Sequence, residues 1–427
     1  MSRPLACDAE GRLTNRVFLD DPRIGTVLDL LNRDGEAARV VGGAVRNALL
    51  GLTPGDIDVA TTALPETVMA RAKAARLRTI PTGLAHGTVT VLARGLPAEV
   101  TTLREDVETD GRHAVVRFGR DFAADAHRRD FTVNALSVDG DGRLHDTTGG
   151  VADLAAGRLR FIGDAATRIR EDYLRILRFF RFSASYATGP LDPEGLAACG
   201  AAVEGLARLS RERVRAELLK LLVAPRAVPV LEEMAAAGLL DAVVGLPCRP
   251  ERFARLVAIE AAGGWAPDAL RRLAGLALRE VGDAALLRDR LRLSNEERDR
   301  LAGIAAAIEG HAPSGDAAPD EAEILALLHD YGRLGASDAL LLRHADSRAA
   351  PDDAAWGTAI RQAGSAPVPV LPVSGRDLLG RGLPAGPLVG AVLKDVQARW
   401  IRGGFPSDPA TLHGLLDAAI AARLADR

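Results

Sequence analysis

Strand-like runs fill the first third of this chain and then stop. Before about residue 150, short β-branched stretches recur at Ala38–Val41, Ile57–Ala60, Thr88–Leu92, Glu99–Leu103, Ala114–Phe118 and Ala135–Val138. Arg143–Asp146 follows the last of these as a hairpin partner across Asp139-Gly-Asp-Gly142. Helical stretches near Ile24–Asn32, Ala44–Leu50 and Pro65–Ala75 are interleaved with the strands. Beyond residue 150 the pattern becomes alanine- and leucine-rich with helical periodicity. A segment cannot bury one face at period 2 and at period 3.6 together, so the chain reads as an α+β head followed by an all-helical body.

A chain of 427 residues exceeds one comfortable core, and roughly two to four domains are expected. Proline and glycine clusters mark breaks at Thr188-Gly-Pro190, Gly245–Pro250, Gly310–Pro319 and Ala366–Pro372. With 48% hydrophobic and 26% charged residues the composition is that of an ordinary globular protein. The net charge of −3 means that a nucleic-acid partner must be held by a local basic face. Cys7, Cys199 and Cys248 form neither a disulfide framework nor a metal-ligand spacing, which fits a reducing compartment. Residues 1–10 lack an apolar signal core and no uncharged stretch is long enough to span a bilayer, so a cytoplasmic location is expected.

The chemistry starts at Asp56-Ile-Asp58. On an extended segment Asp56 and Asp58 project together, while Ile57 and Val59 point into the core. Two adjacent carboxylates repel unless a cation lies between them, and hard oxygen ligands suit Mg²⁺ that also holds a nucleotide's phosphates. Upstream, Gly42-Gly43 opens a helix, where bare backbone N–H groups suit a polyphosphate. Alone, each signal is common on turns. In this order and spacing they point to nucleotidyl transfer.

Such a site wants a third carboxylate to orient or deprotonate the attacking hydroxyl, and Glu99 is the candidate. It shares a strand face with Thr101, opposite Val100, and follows a hairpin-like Thr82–Thr90. In Ala126–Leu136, read as a helix start, Asp130 and Asn134 lie four apart, and both suit a ribose hydroxyl. Arg129 can serve phosphate or sugar. Ala166–Phe182 reads as one amphipathic helix with Ile169, Tyr173, Ile176, Leu177 and Phe180 as its buried stripe. Glu171, Asp172, Arg175 and Arg178 form its polar face. An Asp acceptor beside an Arg donor can read a base edge with an amino group next to a ring nitrogen, as in cytosine and adenine. Uracil and guanine place a carbonyl there and would be rejected.

These segments resemble the class II tRNA nucleotidyltransferase and bacterial poly(A) polymerase family. The matching pieces are Gly42-Gly-Ala-Val-Arg-Asn47, Asp56-Ile-Asp58, Arg128–Leu136, Glu171-Asp-Tyr-Leu-Arg175, Leu209–Lys220 and Ser374–Gly390. The resemblance implies a polymerase-β-like head over 1–150, a helical neck over 151–225, a body over 226–330 and a tail over 331–427. It implies CTP and ATP as substrates and tRNA as the acceptor. Asp56 and Asp58 would bind Mg²⁺ in a two-metal site, with Glu99 near the tRNA hydroxyl. Gly42, Gly43 and Arg46 would face the triphosphate, and Arg129 and Asp130 the ribose. Glu171, Asp172 and Arg175 would serve as the template for CTP and ATP.

Two positions depart from the family pattern. Asn47 stands where Asp is usual, and Gly55 replaces a basic residue before the metal carboxylates; neither deletes a metal ligand. A poly(A) polymerase is the nearest rival, and the absence of a basic extension at Ala421–Arg427 favours CCA addition over it. Enzymes adding only CC or only A, an RNA-binding pseudoenzyme with Asn47 in its support, and a phosphohydrolase built on His329-Asp330 are further alternatives.

Overall fold

The computed structural model describes residues 4–109, 114–310 and 316–425. They divide into two compact units, Met1–Val243 and Val244–Arg427, and the division falls beside the expected Gly245–Pro250 break.

In the first unit the strands are β1 (Ala38–Val41), β2 (Ile57–Thr61), β3 (Arg78–Gly83), β4 (Thr88–Ala93), β5 (Leu96–Thr102), β6 (Arg104–Thr109), β7 (Ala114–Phe118), β8 (Ser137–Val138) and β9 (Leu144–His145). Seven of them form a mixed sheet of order β3-β4-β5-β2-β1-β8-β9, and β6 and β7 form a separate hairpin. Only β2 and β5 are parallel; β1 runs antiparallel to β2.

The period of two fixes what each face carries. Val40, Val59, Val100 and Val89 stand side by side in register and are almost wholly buried. Helices α1 (Pro22–Leu31) and α3 (Pro65–Ala74) contact this sheet, while α2 (Gly43–Leu49) joins β1 to β2. The opposite face presents Asp58 between Val41 on β1 and Glu99 on β5. There α4 (Phe122–His127) brings Phe122 onto Val41, Ala60 and Leu103.

Helices α5 (Gly150–Ala155), α6 (Ala165–Glu171), α7 (Leu174–Tyr186), α8 (Pro193–Ala201), α9 (Arg211–Leu222) and α10 (Ala227–Ala236) complete this unit. α7 has the strongly amphipathic sequence that its position requires: Ile176, Leu177, Phe179 and Phe180 are buried, and α9 and α10 pack against it. Phe131, Phe161, Phe179 and Phe182 form a contiguous aromatic cluster beneath the α7 surface.

Four local expectations need correction. The strand at Ala135–Val138 is only Ser137–Val138, because Thr132–Asn134 is a 3₁₀ turn. β6 was not expected, because Arg-Glu-Asp-Val-Glu-Thr lacks apolar alternation, and β3 was expected only as the Thr82 arm of a hairpin, because it is an exposed edge interrupted by Pro81. α4 ends at His127, so Asp130 and Asn134 are not helical neighbours. Finally, the single helix over 166–182 is two helices separated at Asp172-Tyr173. Asp172 is extended (φ −153°, ψ 105°) and its Oδ1 accepts from the Leu174 N–H at 3.1 Å, a capping bond that competes with helix continuation. The Tyr173 ring lies against Gly205, where an added Cβ would stand 1.9 Å from ring carbons.

The second unit is helical throughout its described residues. Glu260, almost fully buried, accepts from both Arg271 and Arg272 at 2.7 Å. The helix Glu321–Asp346 is kinked at Gly332 (φ 65°), a backbone state open to glycine. Gly375–Gly380, Pro387–Arg402 and Pro409–Ala425 close around Leu378, Val392, Val396 and Leu416. The break expected at Ala366–Pro372 falls between helices, and residues 311–315 of the Gly310–Pro319 break lie outside the described residues. Among the described residues, no helix is long and apolar enough to cross a membrane.

Candidate active site

The open face of the sheet ends in a cavity of about 580 Å³. Its walls come from the β1–α2 turn (Gly42, Gly43, Arg46, Asn47), the start of β2 (Asp56, Asp58), the segment Arg128–Asn134 and α7. Asp56 and Asp58 therefore share one space, as their spacing predicts, while Ile57 and Val59 are buried beneath them. Glu99 is the parallel-register partner of Asp58 and lines an adjoining cavity of about 280 Å³ with Asp58 and Arg129.

This acidic face is under electrostatic stress. Burial pushes the Asp58 carboxyl up to about 6; neighbouring Glu99 and Asp56 push the same way, and Arg129 opposes them. Among the described residues no group of three or more His, Cys, Asp or Glu is gathered tightly enough to hold a metal alone. The donor set is nevertheless hard oxygen with negative charge left uncompensated, which fits a divalent cation whose remaining ligands come from phosphate oxygens.

Gly42 (φ 70°, ψ −124°) makes the turn into α2, and an added Cβ would lie 3.6 Å from Arg129 Nη1 and 3.7 Å from the Asn134 carbonyl. α2 is only seven residues long, so the Arg46 charge contributes more to anion attraction than the short dipole does. Arg46 is 5% exposed. It donates to Asn134 Oδ1 (2.5 Å), Tyr186 Oη (2.8 Å) and Asn47 Oδ1 (3.0 and 3.2 Å), and it stacks on the Tyr186 ring at 3.8 Å.

Asn134 and Asp130 do meet, although no helix carries them: Asn134 Nδ2 donates to Asp130 Oδ1 at 3.2 Å. Asp130 also accepts from the Phe131 N–H and from Arg178 Nε and Nη2 at 2.7 and 2.6 Å. Burial opposes ionisation of Asp130, but Arg178 and these hydrogen bonds overcome it and hold the carboxyl below its usual range. Arg46, Asn134, Asp130 and Arg178 thus form one chain of contacts tying α2 to α7.

The base-facing group is arranged differently from the helical expectation. Asp172 pairs with Arg213 of α9 at 2.7 Å, not with Arg175. Arg175 is held by Glu171 and by the Arg168 and Arg128 carbonyls at 2.8 and 3.3 Å. Asp172, Arg175, Arg178 and Arg213 all line the cavity; Glu171 does not line it and serves as the brace of Arg175.

Several cavity residues were not anticipated. Phe182 and Tyr186 follow Arg178 at spacings of four; Phe182 ends the helix read from the sequence, and Tyr186 lies one turn beyond it. Arg181 stacks on Phe182 at 3.8 Å and pairs with Glu217. Arg213 and Glu217 reach this face only through the packing of α9 on α7, which no local pattern announces. The hydrolase alternative loses its main support, because His329 is a packing residue. Its Nδ1 donates to the Pro369 carbonyl at 3.1 Å, its Nε2 accepts from Gln397 at 3.1 Å, and its ring meets Trp400 edge-on.

A mixed sheet bearing a carboxylate pair beside a glycine turn and a buried arginine defines the head of a nucleotidyltransferase. Residues 38–160 match the family described as the Poly A polymerase head domain, and residues 190–248 match the probable RNA and SrmB-binding site of polymerase A. The chain is 35% identical over 374 residues to the mitochondrial CCA tRNA nucleotidyltransferase 1 of Danio rerio, covering 86% of this chain and 84% of that protein. It is 40% identical over 215 residues to the CCA-adding enzyme of Levilactobacillus brevis, about half of each chain (50% and 53%). The crystal structure of the Bacillus stearothermophilus CCA-adding enzyme in complex with CTP superposes with a TM-score of 0.74 at 30% identity, covering 95% of this chain and 98% of that one. This chain belongs to the family of CCA-adding tRNA nucleotidyltransferases. Members of this family are nucleotidyltransferases and are generally metal-dependent.

Proposed function

We propose that this protein adds CCA to the 3′ ends of tRNA, using CTP and ATP, without a nucleic-acid template. The observation that carries the reading is the single cavity in which the Asp56–Asp58 pair faces Arg46 and the Asp172, Arg175 and Arg213 group. Metal carboxylates, an anion-binding guanidinium and base-reading side chains stand within reach of one nucleotide.

Asp56 and Asp58 would hold Mg²⁺, which supplies charge neutralisation to the triphosphate and to the leaving pyrophosphate. Gly42, Gly43 and Arg46 receive the triphosphate, with the buried guanidinium drawing the anion into the cavity. Arg129 and Asp130, backed by Asn134, face the ribose. The tRNA 3′ hydroxyl attacks the α-phosphorus in line: the new O–P bond forms, the bond to the β-phosphate oxygen breaks, and pyrophosphate departs. Glu99 orients the hydroxyl and takes its proton.

Asp172 accepts from the amino group that cytosine and adenine share, and an arginine donates to the adjacent ring nitrogen. Arg175 was the expected donor. Arg213, already on Asp172, is equally placed for it. Glu171 holds Arg175 in position, and Arg178 stands beside Arg175 on α7, paired with Asp130. In this reading residues 1–150 form the catalytic head and 151–225 the base-reading neck. Residues 226–330 and 331–427 serve as body and tail for the tRNA, in the cytoplasm.

Purified protein given a tRNA transcript lacking its last three nucleotides, Mg²⁺ and each nucleotide singly and mixed tests the reading. Three residues added from CTP plus ATP support it. A long adenylate tail supports a poly(A) polymerase instead, and binding without incorporation supports a pseudoenzyme.

A further inference from the structure

Arg46 cannot offer its whole fork to an incoming anion. Four of its five N–H groups are already committed. Nε and one N–H of Nη2 donate to Asn47 Oδ1, the other Nη2 N–H donates to Tyr186 Oη, and one N–H of Nη1 donates to Asn134 Oδ1. A single N–H of Nη1 is left for a ligand. The charge draws a polyphosphate into the cavity, but phosphate oxygens accept several hydrogen bonds, so further donors are wanted beside the guanidinium.

Tyr186 supplies one. Its hydroxyl oxygen accepts from Arg46 at 2.8 Å, and a phenol still has its own proton to give. Among the described residues none accepts that proton. The Arg46 guanidinium lies 3.8 Å from the centre of the Tyr186 ring, which fixes the ring, and the bond from a cation polarises the O–H into a better donor. Tyr186 lines the same cavity as Arg46, Asp56 and Asp58. It is also the last residue of α7, the helix that carries Arg175 near its start. Those two residues stand about 16 Å apart along the axis at about 1.5 Å per residue, a span comparable with an extended nucleoside triphosphate.

We infer that the Tyr186 hydroxyl donates directly to the phosphate chain of the bound nucleotide. It works beside Arg46, and through it α7 registers the phosphate end of the nucleotide against the base end. The inference rests on the assignment of this cavity to a nucleoside triphosphate.

The test measures equilibrium binding of inorganic pyrophosphate, CTP and UTP, each with Mg²⁺, to the full-length wild type, Tyr186→Phe, Arg46→Ala and the double variant. Tyr186→Phe keeps the ring and removes only the hydroxyl. It should weaken pyrophosphate and CTP by the same factor, about fivefold or more, and leave the preference for CTP over UTP unchanged. The weakening of pyrophosphate should persist in the Arg46→Ala background, where no guanidinium is left for Tyr186 to hold. Wild-type affinity in Tyr186→Phe, a loss for CTP without one for pyrophosphate, or an altered preference between CTP and UTP would overturn the inference. A loss that disappears in the Arg46→Ala background would make Tyr186 a support for Arg46 and overturn the direct contact. Should the wild type bind pyrophosphate and CTP yet fail to extend tRNA, the CCA reading fails while the binding series still decides the role of Tyr186. A wild type that binds neither ligand overturns both.

Discussion

Asp58 carries a clear electrostatic signature. Its folded pKa of about 6 lies above the ordinary value of 3.8, so its neutral form is favoured by the fold. The stability this group contributes is fully present below about pH 4 and is lost as pH rises through about 6. A divalent cation reverses the sign by stabilising the ionised form. The melting-temperature difference between Mg²⁺ and chelator should therefore be larger at pH 7.5 than at pH 5, and Asp58→Asn should flatten that dependence. An equal shift at both pH values would remove Asp58 from the metal site. Asp172 is tested by choice of nucleotide. On the proposed base-reading role, replacing it with Ala removes one base contact worth about 1–3 kcal/mol, and discrimination of CTP over UTP should fall roughly 10- to 100-fold. Unchanged selectivity would rule out a base-reading role.

At the scale of elements, the site depends on two junctions that hold helices in place. The first is the break between α6 and α7. Because a Cβ on Gly205 would stand 1.9 Å from the Tyr173 ring, Gly205→Ala must displace Tyr173 and with it Asp172. Overpacking of this kind costs about 1–3 kcal/mol, and nucleotide selectivity should fall alongside the melting temperature. Gly200→Ala, where no atom lies within 4 Å, should leave both intact. The second junction is Arg178–Asp130. Arg178→Ala strands a buried carboxylate, with an expected loss of about 3 kcal/mol by denaturant titration. Ionised Asp130 stabilises the wild type above the ordinary carboxylate range, and that contribution is lost as pH falls through its lowered folded pKa. The wild-type advantage over Arg178→Ala should therefore shrink in acid.

For the whole molecule, what could be read from the sequence divides along the line between local and tertiary rules. The strands β1, β2 and β4, the pairing of β8 with β9 and the shared side of Asp56 and Asp58 follow from alternation and turn chemistry, and they are present in the fold. The helical body follows from its period. The α6–α7 break was hidden because Glu-Asp-Tyr-Leu-Arg satisfies a helical pattern locally; the interruption comes from an aspartate cap and a ring seated on a distant glycine. The Asp172–Arg213 pair was hidden for the same reason: its partners lie 41 residues apart. Glu99 was found on a strand face, and its register with Asp58 explains why that glutamate adjoins the pair.

The measurement that bears most directly on the central claim is single-turnover transfer of CMP to tRNA lacking its terminal CCA, by wild type and by Asp56→Asn, with tRNA and CTP binding measured in parallel. Transfer should fall by at least about 10²-fold while both ligands still bind, because the substitution removes charge and leaves shape. An Asp56→Asn protein that transfers CMP at the wild-type rate would contradict the assignment of this carboxylate pair to catalysis.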